Sequence, residues 1–153
     1  MSKPPIPEEN TAIVNSGEIG VIPPGTIIGG RFRVDRCLGK GGMGIVYEAT
    51  QLTIGRAVAL KILLAEMTRI PSIKERFRRE AEAIATLAHP NIVTLIDFDQ
   101  TDSGELFLAM ELVRGTLLST RLSDNDPLPL AVATKVVGQI LLALEHAHDP
   151  GRG

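Results

Sequence analysis

Tryptophan is absent from this 153-residue chain, tyrosine occurs once and phenylalanine four times, so aromatics make up only 3% of it. Any core must be filled by aliphatic side chains, and 44% hydrophobic residues supply enough of them for one domain. The single cysteine, Cys37, excludes an internal disulfide and reads as a small strand residue rather than a reactive thiol. Sixteen Lys and Arg against eighteen Asp and Glu leave a net charge of −2, which gives no basic footprint for nucleic acid. The opening Met1-Ser2-Lys3-Pro4-Pro5 lacks the apolar core of a signal peptide. No run of about 18 uncharged apolar residues exists, so no membrane segment is expected and the cytoplasm is the expected compartment. There is no Cys/His cluster with zinc spacing, no nucleophile elbow and no internal repeat. His89 precedes a proline in a turn and reads as structural. His146 and His148 lie too near the terminus to suggest a metal site.

What is abundant is glycine, and its placement is informative. Leu38-Gly39-Lys40-Gly41-Gly42-Met43-Gly44-Ile45-Val46-Tyr47 contains G-x-G-x-x-G between two alternating segments, 32–38 and 45–49. A glycine turn between strands lets backbone N–H groups approach phosphate oxygens with no side chain in the way. The same letters open dinucleotide-binding folds, but there a helix must follow. Ile45-Val46-Tyr47 is β-branched and aromatic and favours a strand. A purely structural glycine hairpin is the third reading.

Residues 1 to about 24 carry five prolines without apolar periodicity, which predicts an unstructured leader. Pro24-Gly25 marks the turn into the folded part. A second strand over 45–50, a turn at Ile54-Gly55-Arg56 and a third strand over 57–63 follow. Alternation puts Val58, Leu60 and Ile62 on one face and Ala59, Lys61 and Leu63 on the other. Lys61, flanked by apolar residues, is either an edge-strand gatekeeper charge or a cation aimed at phosphates. Ser72 with Glu75 predicts a capping box opening a helix. Its buried stripe is Ile73, Phe77, Ala81, Ile84 and Ala88, with Pro90 as the stop. Its basic residues interleave with Glu75, Glu80 and Glu82 and read as a solvated face. Glu80 lies near the stripe, although a plain surface glutamate is the simpler account. Residues 92–98 and 105–112 read as a hairpin joined by Thr101-Asp102-Ser103-Gly104. A short helix from about Thr116 to Leu122 and a loop over 123–127 precede a long helix over about 128–147. That helix is apolar most of the way round, which calls for burial on several sides.

The order of these elements resembles the N-terminal lobe of eukaryotic-like (Hanks-type) serine/threonine protein kinases, the bacterial ones in particular. The glycine stretch, with its Gly-Gly-Met-Gly form, is similar to their phosphate-covering loop, and Val58-Ala59-Leu60-Lys61 to their Val-Ala-Ile-Lys strand. Phe77-Arg78-Arg79-Glu80-Ala81 looks like their first helix, and His89-Pro90-Asn91-Ile92-Val93 like the turn after it. The likeness runs from about Thr26 to His148. It implies an α+β fold: a kinase N-lobe with a five-stranded antiparallel sheet and one packed helix, then a short helix and a long apolar helix of an incomplete C-lobe. The implied division is a tail over 1–25, an ATP-binding lobe over 26–113, and the hinge exit with the start of the C-lobe over 114–153. The implied partner is ATP, covered by Leu38, Gly39, Lys40, Gly41, Gly42, Met43 and Gly44. Leu38, Val46 and Ala59 sandwich the adenine, and Met110 is the gatekeeper. Backbone groups of Glu111 and Val113 bond the adenine edge. Lys61 holds the α- and β-phosphates and pairs with Glu80. A buried lysine is costly by several kcal/mol unless an opposite charge or a phosphate meets it, which supports the pairing on physical grounds.

Phosphoryl transfer in this family also needs an aspartate base and an asparagine and aspartate that hold Mg2+, carried by His-Arg-Asp and Asp-Phe-Gly segments. Neither segment occurs within these 153 residues. Asp97-Phe98-Asp99 sits in a strand and is no substitute. No catalytic residue and no metal ligand is therefore assigned, although Mg2+ is expected for the family. A protein substrate is expected only if a C-lobe completes the fold. The chain by itself is expected to show no kinase activity, to be marginally stable and to associate through the long helix. The competing reading is a non-catalytic nucleotide- or partner-binding regulatory module.

Overall fold

The computed structural model describes residues 21–123 and 127–148. A single antiparallel sheet organises them. Its strands are β1 (Ile27–Ile28), β2 (Phe32–Lys40), β3 (Gly44–Gln51), β4 (Arg56–Leu63), β5 (Leu95–Gln100) and β6 (Leu106–Glu111). Their spatial order is β1-β2-β3-β4-β6-β5. Between β4 and β5 the chain forms α1 (Ala65–Thr68) and α2 (Pro71–Ala85), and after β6 it forms α3 (Leu118–Ser123) and α4 (Leu130–Ala147).

The sheet has six strands, not the expected five. The extra one, β1, is two residues long and pairs Ile27 with Arg33 and Ile28 with Phe32. It turns into β2 through Gly29 and Gly30, both left-handed at φ 55° and 65°. A Cβ on Gly29 would sit 2.8 Å from the Phe107 ring, so glycine is required there on two counts. A two-residue strand has no alternation to detect, which is why pattern reading misses it. The segment just ahead is already tied down. The Ile22 N–H donates to the Tyr47 hydroxyl, and the Gly25 N–H to the Val34 carbonyl. The expected leader residues 1–20 lie outside the described residues.

Strand alternation sorts the apolar residues into two clusters on opposite faces. Phe32, Val34, Ile45, Tyr47, Ala49, Val58, Leu60, Ile62, Phe107 and Ala109 fill the inside of the curled sheet. The edge-to-face pair of Phe32 and Phe107, centroids 5.8 Å apart, bridges β2 to β6. On the other face Leu63, Leu106 and Leu108 meet Phe77 and Ala81 of α2. Burial of Tyr47 pushes its phenol above the usual value. Arg31 closes the sheet, its guanidinium reaching Asp97 at 3.2 Å and Asp99 at 2.6 Å on the far edge strand.

Several boundaries differ from expectation. The capping box does not form: Pro71 takes the first helical position, Ile70 is the N-cap with no side-chain cap, and Glu75 pairs with Arg79 at 2.9 Å. Proline's fixed φ sets the start of the helix there, so Ser72 already lies inside it. The helix stops at Ala85, leaving Ala88 outside the stripe. The hairpin forms, but its first strand begins at Leu95 instead of Ile92. The Ile92 N–H is held by the His89 carbonyl, and the Thr94 N–H by the Glu111 carboxylate. Single-turn α1 was not anticipated.

The long helix α4 calls for burial on several sides by its composition, and standing alone it is left exposed, as the expected association through it requires. No residue of it is buried in this chain. Leu130, Val132, Val137, Ile140, Leu141, Leu142 and Leu144 are exposed. By length and composition α4 could cross a bilayer, although Lys135 and Glu145 lie within it. It touches the lobe through the 89–91 turn: Asn91 Nδ2 donates to the Gln139 carbonyl at 3.1 Å, and the His89 and His146 rings lie 5.0 Å apart. His89 also accepts the Asn91 N–H on Nδ1, the structural role its position implied.

Candidate nucleotide-binding face

Strand register decides which side chains share the face that α2 borders. Val46 lies opposite Lys61, which lies opposite Leu108. In the next row Arg36 lies opposite Glu48, Glu48 opposite Ala59, and Ala59 opposite Met110. Residues directly opposite in antiparallel strands point the same way. One face therefore carries Val46, Ala59, Lys61 and Met110 side by side.

Lys61 is the charged member of that face. Its side chain is only 19% exposed, and Nζ lies 2.6 Å from Glu80 Oε1. The ammonium also stands 5.5 Å from the centroid of the Phe77 ring, within cation–π range. Phe77 is fully buried and fixes the rotation of α2, which presents Glu80 one turn later to the strand. Of the two readings of Lys61, the edge-strand charge fails because β4 is paired on both sides.

The glycine turn closes the end of β2 and β3. The Gly41 N–H donates to the Gly44 carbonyl at 2.8 Å, and Lys40 pairs with Ile45 across the ladder. Two kinds of glycine occur here. A Cβ on Gly44 would lie 2.3 Å from the Ile62 carbonyl oxygen, so the chain itself demands glycine there. Added at Gly39 or Gly42 it would meet nothing within 4 Å, and at Gly41 only the Gly44 carbonyl at 3.7 Å. Neither packing nor left-handed backbone explains those three. They leave a bare backbone surface of the kind that admits a phosphate. Met43 packs against the α2-side cluster, and its carbonyl accepts from the Leu64 N–H, which pins the tip of the turn to the end of β4.

The remaining residues of the expected site line the edge. Leu38 sits exposed where the β2–β3 register shifts. Met110 is half-buried against the α2-side cluster. The Glu111 N–H is taken by the Thr94 carbonyl at 3.0 Å, and Val113 is 68% exposed just beyond the sheet. Sequence reasoning missed a charged group beside them. Glu48, with a side chain only 12% exposed, is met by Arg114 Nη2 at 3.0 Å and by Arg36 Nη2 at 2.5 Å. The Arg36 contact lacks hydrogen-bond alignment and is purely ionic. The parity of Glu48 with Val46 was a usable signal; Arg114, 66 residues away, was not.

Among the described residues no group of three or more His, Cys, Asp and Glu side chains could hold a metal ion. The described residues do not by themselves fit Mg2+. A groove lined by Asn91, Val136, Gln139, Ile140, Ala143 and Leu144 lies against α4, away from Lys61.

Residues 32–151 match the model of the protein kinase domain. The chain belongs to the protein kinase family. It is 40% identical over 127 residues to the serine/threonine-protein kinase pkn3 of Myxococcus xanthus, covering 83% of this chain and 23% of that protein. It is 38% identical over 125 residues to the serine/threonine-protein kinase PrkC of Bacillus subtilis, covering 82% and 19%. Among solved structures it superposes on the PknI kinase domain of Mycobacterium tuberculosis with a TM-score of 0.72 at 31% identity, covering 86% of this chain and 53% of that one. The chain thus spans about a fifth of the length of these curated relatives and about half of that kinase domain.

Proposed function

We propose that this chain is the ATP-binding part of a serine/threonine protein kinase acting in the cytoplasm. Its task is to hold ATP for phosphoryl transfer to protein hydroxyls once a C-lobe completes the fold. The observation that carries the reading is the 2.6 Å pair between Lys61 Nζ and Glu80 Oε1 on the face below the glycine turn. Val46 and Ala59 offer an apolar surface for the adenine, with Leu38 at its rim and Met110 at its back. The Glu111 carbonyl and Val113 backbone offer the adenine edge its partners. Bare backbone at Gly39, Gly41 and Gly42 admits the phosphates, and Lys61 neutralises part of their charge. Glu80 keeps the ammonium aimed, so a displacement of α2 would switch Lys61 between competent and idle positions.

A thermal-shift titration of the 153-residue chain with ATP tests this. Stabilisation by ATP is expected, and Lys61→Met is expected to weaken binding about tenfold or more, the scale of a lost charged hydrogen bond. No stabilisation, or one unchanged by Lys61→Met, removes the nucleotide role. Phosphorylation of a protein substrate by this chain alone would overturn the view that it is catalytically incomplete.

We also propose that α4, exposed as it is here, drives self-association of the chain. Sedimentation velocity should show concentration-dependent association that Leu141→Glu abolishes. A monomer at all concentrations would refute it.

A further inference from the structure

Beyond the Lys61–Glu80 pair, one charged constellation on the nucleotide face has no role yet. Glu48 lies in the same cross-strand row as Ala59 and Met110, and its carboxylate is largely withdrawn from solvent. It is met by two guanidinium groups, one from the neighbouring strand and one from the segment leaving the sheet. Arg114 is the informative partner. It follows Val113 directly, and its side chain returns from the hinge to the middle of β3.

The hinge segment is therefore anchored at both ends. At its start, the Glu111 N–H and side chain form a reciprocal pair of hydrogen bonds with the Thr94 carbonyl and N–H, both at 3.0 Å. At its end, Arg114 is drawn to Glu48 at 3.0 Å. Val113, between the two anchors, is 68% exposed and has no packing of its own to fix it. We propose that Glu48 is a positioning residue: through Arg114 it sets the backbone of residues 111–113 against the slot floored by Ala59, and so tunes recognition of the purine edge, not of the phosphates. The inference rests on the nucleotide reading above and adds to it a residue outside the adenine- and phosphate-contacting set.

The geometry separates this role from a general electrostatic one. Two cations on one carboxylate leave a net positive charge at the rim. If that charge merely attracted phosphates, Arg114→Ala would weaken ATP, Glu48→Gln would tighten it, and both would spare adenosine. If Glu48 positions the hinge, adenosine and ATP lose affinity by the same factor. Lys61→Met gives the opposite signature, weakening ATP and sparing adenosine.

The test is calorimetric titration of adenosine and of ATP into the 153-residue chain, its Glu48→Gln and Arg114→Ala variants, and the double variant. Each single variant is expected to weaken both ligands about threefold, the scale of a partly exposed ion pair, and the double variant no more than either alone. Raised salt should shrink the difference between wild type and variants. Melting temperatures measured alongside distinguish a hinge effect from unfolding, and Arg114→Ala at the surface serves as the second variant if Glu48→Gln folds poorly. Adenosine affinity unchanged in Arg114→Ala, or a loss confined to ATP, overturns the proposal. Failure of the unaltered chain to bind adenosine at all overturns the nucleotide reading itself, a distinct outcome.

Discussion

Strand β4 and helix α4 are both apolar, yet they stand at opposite extremes of this molecule. In β4, Val58, Ala59, Leu60, Ile62 and Leu63 are buried, because the sheet curls over one face and α2 covers part of the other. In α4 no residue is buried, and Leu130 is 83% exposed. Apolar sequence therefore marks where cover is needed, not where it exists. The sheet lobe brings its own cover. The helix reaches it through Asn91 and the His89–His146 contact. The site sits entirely on the self-covered side, which is why it can be assembled within this chain.

The contrast can be broken most directly by deleting side chains on each side of it. Phe77→Ala should cost about 3–5 kcal/mol, since it empties a fully buried position and removes the ring beneath Lys61. Leu141→Ala in α4 should stay within about 0.5 kcal/mol at concentrations where the chain is a monomer, because a leucine exposed there has little burial to lose. Urea unfolding followed by Tyr47 fluorescence reads the sheet lobe alone, as this is the only tyrosine and there is no tryptophan. Equal effects of the two substitutions in the monomer would mean that α4 is covered by the sheet lobe in solution.

A second pair sharpens the comparison inside the glycine turn. Gly44→Ala forces a Cβ against the Ile62 carbonyl and should cost about 1–3 kcal/mol. Gly42→Ala meets nothing and should leave stability unchanged while weakening ATP binding. If both substitutions only destabilise, the turn is structural and the phosphate reading loses its support. Glu80→Ala comes next in size. It leaves a mostly buried ammonium without its partner, and about 1–2 kcal/mol is expected, below a fully buried pair because Glu80 is 36% exposed. A double-mutant cycle with Lys61→Met checks that the loss belongs to the pair.

How much of this was legible beforehand depends on the range over which each feature is encoded. The two faces of β4 follow from period-two alternation, and the register confirms both. The hairpin turn is legible because Thr101 and Gly104 bond each other locally. The start of α2 escapes pattern reading because two local rules compete there, and Pro71 overrides the Ser72–Glu75 pattern. Ile92 and Val93 look like strand by composition, but the His89 carbonyl and the Glu111 side chain hold that stretch out of the sheet. The Lys61–Glu80 pair came from family resemblance, since alternation alone left Lys61 ambiguous. Glu48–Arg114 and Arg31–Asp99 join residues more than 60 apart and leave no local trace.

That last contact gives the smallest expected effect and also bears on the comparison. The Gln100 N–H and then the Arg31 guanidinium hold the Asp99 carboxyl below its usual value. Burial pushes the Glu105 carboxyl up, but the Ser103 and Thr101 hydroxyls together with its own backbone N–H more than offset it, and the net shift is also downward. A carboxyl lowered in the folded state contributes stability that is complete above its unfolded value, near 3.9 for Asp, and fades as pH falls through the folded one. The urea midpoint of the sheet lobe should therefore drop as pH falls from about 5 toward 2. Arg31→Gln should flatten that drop by removing one cause of the Asp99 shift, without abolishing it, because the Gln100 and Glu105 contributions remain. An Arg31→Gln chain with an unaltered pH profile would mean that the clasp across the sheet edge is not populated in solution, and that the sheet holds its curl through the Phe32–Phe107 contact and its neighbours alone.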